Sequence, residues 1–199
     1  MAKDFFAAIK ERRSVYGITA KSGISDERLA EIIGDAVLHA PTPFNCQSAR
    51  VLLLLGKHHE SLWEITKNAL KPLVKPEGWE TTEKKIASFA SGYGTVLYFN
   101  DDQVIADLQE KFPSYKDSFP AWAEQAGGIL QHMVWVSLHV EGLGASLQHY
   151  NPLIDEEVKK TWPVSANWRL IAQMPFGLPE GSPAEKSFMP IEERFTVFS

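Results

Sequence analysis

Gln125-Ala126-Gly127-Gly128-Ile129-Leu130-Gln131-His132-Met133-Val134-Trp135-Val136-Ser137-Leu138-His139-Val140 contains no Asp, Glu, Lys or Arg, in a chain that is 23% charged. Apolar residues fall on almost every side of a helix drawn through this stretch, so it must be surrounded by protein or by lipid. The run is shorter than the roughly 20 apolar residues of a membrane span and carries Gln125, Gln131, His132 and His139, which favours protein. Glu141-Gly142-Leu143-Gly144 then supplies a glycine suited to a left-handed helix stop, and Ala145 to Tyr150 reads as a short strand.

Downstream of that stretch, Asn151-Pro152 reads as a helix start, with Asp155, Glu156 and Glu157 in its first turns. Trp168 to Phe176 alternates partly and reads as a strand. A segment rich in Pro, Gly and Ser follows, and Phe195-Thr196-Val197-Phe198 closes the chain as a strand-like apolar run, suited to pairing with a second subunit. Upstream, Phe112 to Trp122 mixes aromatic and charged residues with Pro113 and Pro120, and reads as a wrapped connection or a lid over a substrate.

The N-terminal half sets helices and buried strands in alternation. Phe5, Phe6 and Ile9 place a first amphipathic helix over Ala2 to about Arg13. Ser25 caps a second, whose stripe of Leu29, Ile32, Ile33, Ala36 and Val37 must end at Pro41-Thr42-Pro43. Val51 to Leu55 and Thr95 to Phe99 are continuous apolar runs, the pattern of strands covered on both faces. Between them Leu62, Ile65, Ala69 and Leu73 mark one helix and Trp79 to Ala90 a weaker one. Asn100-Asp101-Asp102 caps a short helix through Leu108.

Bulk properties exclude several classes. A chain of 199 residues that is 44% hydrophobic holds a large core within one domain. The net charge of −5 and isolated basic pairs leave no nucleic-acid footprint. Cys46 is the single cysteine, so no intrachain disulfide or Cys-based zinc site forms. Lys10, Glu11, Arg12 and Arg13 interrupt the first apolar run, unlike a signal peptide, and the expected location is the cytoplasm, with no membrane partner.

Two places carry potential chemistry. Arg12-Arg13-Ser14 at a helix end either clamps a phosphate through charge-assisted bonds or simply complements the helix dipole. Thr42, Asn45, Gln47 and Ser48 place neutral donors and acceptors on a backbone stiffened by two prolines. They suit a flat heteroaromatic ligand, or form an ordinary polar turn. Other motifs fail. Gly142-Leu143-Gly144-Ala145-Ser146-Leu147 lacks the third glycine of a dinucleotide fingerprint and follows a helix where a strand is required. Gln148 replaces the second glycine of a nucleophile elbow, in the same inverted context. His132 and His139 share a helix face with no carboxylate between them, which points away from a metal.

Taken together, Arg12-Arg13-Ser14, Pro41 to Ser48 and Gly142 to Tyr150, in that order, resemble the flavin-dependent nitroreductase family, and look closest to a short fungal and bacterial branch linked to oxidative or chemical stress. The resemblance implies an α+β fold, with a mostly antiparallel sheet flanked by helices. It implies a homodimer in which the charge-free helix is buried at the interface and the C-terminal strand is exchanged. It further implies FMN as cofactor, NADH or NADPH as electron donor and a small aromatic acceptor, a nitroaromatic or quinone, with no catalytic side chain because the chemistry lies at flavin N5. Arg12, Arg13, Ser14 and Lys186 would hold the phosphate and ribityl chain, with Phe188 where a second basic residue is common. Pro41, Thr42, Asn45 and Gln47 would approach the ring, and Leu147, Gln148 and His149 would line its other side or edge. The same resemblance leaves room for a flavin-binding stress-response protein with little turnover.

Overall fold

The computed structural model describes residues 4–183 and 185–199. Among these described residues, five strands form one antiparallel sheet: β1 (Ile18–Thr19), β2 (Ala49–Leu55), β3 (Gly94–Asp101), β4 (Gly144–Ala145) and β5 (Trp168–Pro179), ordered β1-β5-β3-β2 with β4 also on β5. The α+β architecture expected from the sequence is present. β2, β3 and β5 outrun their apolar runs because polar flanks also find ladder partners, as in Ala49 opposite Asn100 and Asp101 opposite Trp168.

The sheet carries a hydrophobic layer on each face, and one irregularity in β5 makes both possible. Tyr98 lies opposite Ala172 but Phe99 opposite Leu170, so Ile171 is an extra residue in the ladder. Without this bulge Leu170 and Ala172 would share a face. Instead Leu170 joins Leu97, Phe99, Leu62, Trp63 and Phe89 in one cluster, while Ala172 and Met174 join Val96, Tyr98, Leu130, Val134 and Leu138 in the other.

Among the described residues, seven α-helices surround the sheet: α1 (Phe5–Glu11), α2 (Asp26–His39), α3 (Lys57–Leu70), α4 (Pro76–Ala90), α5 (Asp102–Lys111), α6 (Phe119–Val140) and α7 (Asp155–Thr161). Ser25 Oγ accepts the Arg28 N–H at 3.2 Å to cap α2, which buries Leu29, Ile32, Ile33 and Ala36 and stops two residues before Pro41. The charge-free stretch lies in α6, which begins earlier than its sequence pattern because Phe119 and Ala123 pack on Ile105. Its C-terminus closes with Leu143 N–H on Leu138 O at 2.9 Å and Gly142 N–H on His139 O at 3.0 Å. That geometry needs the left-handed backbone of Gly142 (φ 83), and it brings buried Leu143 into the same cluster as Leu138. Within one chain, however, α6 is not covered all round. Gln125, Gly128, Ile129 and His132 are exposed. No helix among the described residues is long and apolar enough to cross a membrane.

Two sequence expectations need correction here. The strand expected over Ala145 to Tyr150 shrinks to β4, followed by a single bridge from Gln148 to Gln173. Ser146 N–H reaches Pro175 O, but Pro175 has no N–H to return and the ladder breaks there. The helix expected from Asn151-Pro152 starts instead at Asp155. Tyr150 N–H is held by Gln173 Oε1 at 2.7 Å, and Ile154 is drawn into the second core, so residues 151–154 turn rather than coil. Phe195, Val197 and Phe198, the run suited by sequence to pairing with a second subunit, are exposed and pair with no strand of this chain among the described residues.

Buried His59 connects α3 to the sheet. Its Nε2 lies 3.1 Å from Ala90 O, an acceptor only, so Nε2 carries the proton. Trp63 Nε1 donates to Thr95 Oγ1 at 3.0 Å, and the Thr95 hydroxyl donates to His59 Nδ1 at 2.8 Å. The neutral ring is fully satisfied, and burial lowers its pKa below the ordinary histidine value. The unfolded chain therefore binds the extra proton first as pH falls, and stability declines from about pH 6.5. Thermal melts should show a falling midpoint from pH 7.5 to 5.5, with a shallower slope in His59→Gln; equal slopes would remove His59 as the cause.

Candidate functional site

The first helix ends sooner than its apolar spacing suggests, and this decides what the two arginines do. Arg12 is the C-cap of α1, with extended backbone (φ −56, ψ 127), so Arg12, Arg13 and Ser14 leave the helix as a strand-like segment. Ser14 bridges in parallel to Ala145, and Val15 N–H donates to Ala145 O at 2.9 Å. The close approach requires a small residue beside it: a Cβ on Gly144 would lie 2.8 Å from Val15 Cγ1.

The Arg12 guanidinium turns inward and lies 4.2 Å from the centroid of the Trp135 ring on α6. Its Nε and Nη1 are buried with no hydrogen-bond partner among the described residues. Burial, with Arg13 nearby, lowers its pKa. A cation that only complemented a helix dipole would stay in water; one buried with idle donors is costly unless an anion completes it. Arg12, Arg13, Ser14 and Lys186 line a single cleft of about 440 Å³, with Glu180 the one carboxylate on its wall. Lys186 Nζ also sits 5.0 Å from the ring of Phe188, the residue found where a second cation was looked for.

The ring-facing candidates lie elsewhere. Thr42 and Gln47 line a mostly apolar cleft of about 570 Å³ between α2, α6 and β2, together with Val37, Leu53, Leu130 and Trp168. Pro41 and Asn45 are exposed on the same loop. Ser48 is buried, its carbonyl accepting from Asp101 N–H at 2.9 Å. Beyond α6, Leu147 packs against the main core and His149 is exposed. Gln148 is 8% exposed, its Nε2 donating to Ser146 Oγ at 3.0 Å while its backbone exchanges bonds with Gln173. Within one chain Arg12, Arg13, Ser14 and Lys186 thus share one cleft, Thr42 and Gln47 line another, and Pro41, Asn45, Leu147, Gln148 and His149 line neither. His132 is exposed and His139 Nε2 lies 3.9 Å from Glu11, with no metal-binding group of three among the described residues.

Two contributors escaped sequence reading. Trp135 supplies the surface under Arg12 and donates through Nε1 to Ala145 O at 3.2 Å. Arg50 braces the loop, donating to Gln47 O at 2.6 Å and pairing with Asp101 at 3.0 Å. Neither belongs to a motif; Trp135 is one apolar residue among many on its helix.

A family model described as the nitroreductase family matches residues 9–178, and the chain belongs to that family. It is an oxidoreductase in that broad sense. The Saccharomyces cerevisiae protein HBN1 is 31% identical over 188 residues, covering 93% of each chain. Nitroreductase CinD from Lactococcus lactis, in complex with nicotinic acid, is 41% identical with a TM-score of 0.91, covering 98% of this chain and 100% of that one. CinD has also been solved with chloramphenicol and with 4-nitrophenol. A structure from Desulfovibrio desulfuricans in complex with FMN shares the fold, at 18% identity and a TM-score of 0.71 over 100% of this chain and 99% of that one.

The idle Arg12 donors make a prediction that needs no substrate. In protein stripped of small ligands, Arg12→Met should melt no lower than wild type, because an uncompensated buried charge is removed. Inorganic phosphate at a hundred times its Kd should stabilise wild type by about 2.7 kcal/mol and Arg12→Met far less. Equal phosphate shifts in both would sink the anion-cradle assignment.

Proposed function

We propose that residues 1–199 act as a single FMN-binding domain of a homodimeric oxidoreductase, which reduces nitroaromatics or quinones with NADH or NADPH. The observation that carries this reading is the buried, partnerless guanidinium edge of Arg12 in a cleft shared with Arg13 and Lys186. FMN presents the matching chemistry: one phosphate on a flexible chain, and a flat ring with alternating carbonyls and nitrogens. Arg12, Arg13 and Lys186 would hold the phosphate and Ser14 the ribityl chain. Pro41, Thr42, Asn45 and Gln47 would orient the ring with neutral groups, and Leu147, Gln148 and His149 would border its other side. When bound, FMN supplies hydride acceptance and donation at N5. The side chains bind, orient and exclude water, with no acid or base required of them, and donor and acceptor use the same face in turn. The similarity to a nitroreductase solved with 4-nitrophenol supports a small nitroaromatic as acceptor.

A dimer reconciles the two separate clefts. The open face of α6 at Ile129 and His132 carries no charge, and β2 is the edge strand of the sheet, lining the apolar cleft with Ala49, Val51 and Leu53. The exposed run Phe195-Thr196-Val197-Phe198 has the alternation to add to such an edge in a second copy. Each ring would then lie between one copy's arginines and the other's Thr42 loop. A second reading, a flavin-binding stress-response protein with little turnover, uses the same site and differs only in rate.

Purified protein should show a flavin absorbance spectrum that bleaches when NADH or NADPH is added without oxygen and recovers with a nitroaromatic or quinone. Bleaching that no acceptor reverses would favour the second reading; a colourless protein that ignores added FMN would end both. Changing Arg12 and Arg13 together to Ala should weaken FMN binding by roughly 3–6 kcal/mol, through the loss of two charge-assisted contacts. Deleting residues 194–199 should shift the protein towards monomer in sedimentation and lower its flavin content; a truncated protein that remains a fully loaded dimer would exclude the exchanged strand.

A further inference from the structure

The loop between α2 and β2 holds three residues with side chains, Phe44, Asn45 and Gln47, in left-handed backbone at φ 52. A bulky residue adopts that conformation rarely, because its Cβ crowds the following carbonyl, so something outside the loop must hold it. Inside the loop, Asn45 N–H donates to Thr42 O at 3.0 Å and Gln47 N–H to Thr42 Oγ1 at 3.1 Å. From outside, Arg50 fastens the Gln47 carbonyl at one end while paired with Asp101. At the other end the only ring is Phe44. Its centroid lies 4.7 Å from Phe112, 5.5 Å from Phe119, 5.8 Å from Tyr115 and 6.4 Å from Trp122, the last nearly parallel at 20°. These four rings come from the connection after α5 and the first turn of α6; Phe119 is buried and anchors them, while Tyr115 and Phe44 are 47% and 53% exposed. The segment read from sequence as a connection or a lid is therefore a seat for this loop.

We propose that Phe44 is a positioning residue for the flavin ring: its ring, seated on the Phe112, Tyr115, Phe119 and Trp122 platform, holds the strained loop so that Thr42, Asn45 and Gln47 are preformed for the ligand. This rests on the reading that those three residues face the ring. The ordering cost is met when the chain folds and is absent when the ligand arrives, which is what preorganisation means for a binding loop. Phe44 acts through the loop, and the phosphate cleft is independent of it.

The test compares wild type with Phe44→Ala, Phe44→Gly and Phe44→Trp, all loaded with FMN. Phe44→Ala should keep its FMN through the phosphate cleft, while the absorbance spectrum and midpoint potential of the flavin move towards those of free FMN. Its kcat/KM for a nitroaromatic should fall roughly ten- to a hundredfold. Phe44→Trp should restore most of both. Phe44→Gly, which tolerates the left-handed backbone but has no ring, should behave like Phe44→Ala and so separate the anchor from the strain. If Phe44→Ala does not fold, Trp122→Leu weakens the same seat and should give the same spectral and potential shifts. Wild type that binds no FMN would overturn the functional reading itself. Wild type that binds FMN, beside a Phe44→Ala variant identical in spectrum, potential and kcat/KM, would overturn only the role of Phe44.

Discussion

The carbonyl oxygen of Ala145 accepts two hydrogen bonds, from Val15 N–H at 2.9 Å and from Trp135 Nε1 at 3.2 Å. That one acceptor joins three pieces that are distant in sequence: the segment leaving α1, the long helix α6, and the short strand that follows it. The arginine side of the cationic cleft hangs from this junction, while its other wall is joined by Glu180 N–H to Gly17 O at 2.8 Å. Val15 fixes the backbone that carries Arg12 and Arg13, and Trp135 supplies the ring under the Arg12 guanidinium. The helix stop at Gly142 delivers Ala145 to its place, so a left-handed glycine is connected, through four residues and two hydrogen bonds, to the electrostatics of a site on another segment.

Much of this was readable from residue order alone, and the reason is local. The α2 stripe, its Ser25 cap and its proline stop are all encoded within a few residues of where they act. The buried strands announced themselves by unbroken apolar runs. The arginine pair stood out by its own chemistry, as a phosphate clamp or a dipole cap, and Lys186 through a family resemblance; the fold brings all three to one cleft. What could not be read depends on partners far along the chain. The strand after α6 breaks because Pro175, some thirty residues later, has no N–H to give. The helix after Pro152 is delayed because Ile154 is more stable in the core than on a helix surface. Trp135 and Arg50 belong to no pattern, and only their contacts reveal them.

Placing Arg12, Arg13 and Lys186 in one cleft and Thr42 and Gln47 in another also limits what a single chain could do in the proposed role. In that role a phosphate grip with no second copy's loop beside it would leave the flavin ring in water, so the proposed functional unit is set by surface chemistry rather than by catalytic residues. Ile129 on α6 and Phe195, Val197 and Phe198 in the tail are costly to leave in water, and in the proposed dimer that cost would favour assembly. Solubility of the isolated chain and competence of the site are thus the same problem seen from two sides.

The extra residue at Ile171 has a consequence for tolerance to change. By switching face between Leu170 and Ala172, β5 serves two hydrophobic layers that share a backbone but few side-chain contacts. Distant, non-touching substitutions add nearly independently. The part of that layer around Leu62, Ile86 and Leu170 is therefore a reservoir in which sequence can drift, or be redesigned for heat resistance, whereas Phe89, against Tyr16 of the arginine cleft, and Trp63, bonded to Thr95, are not.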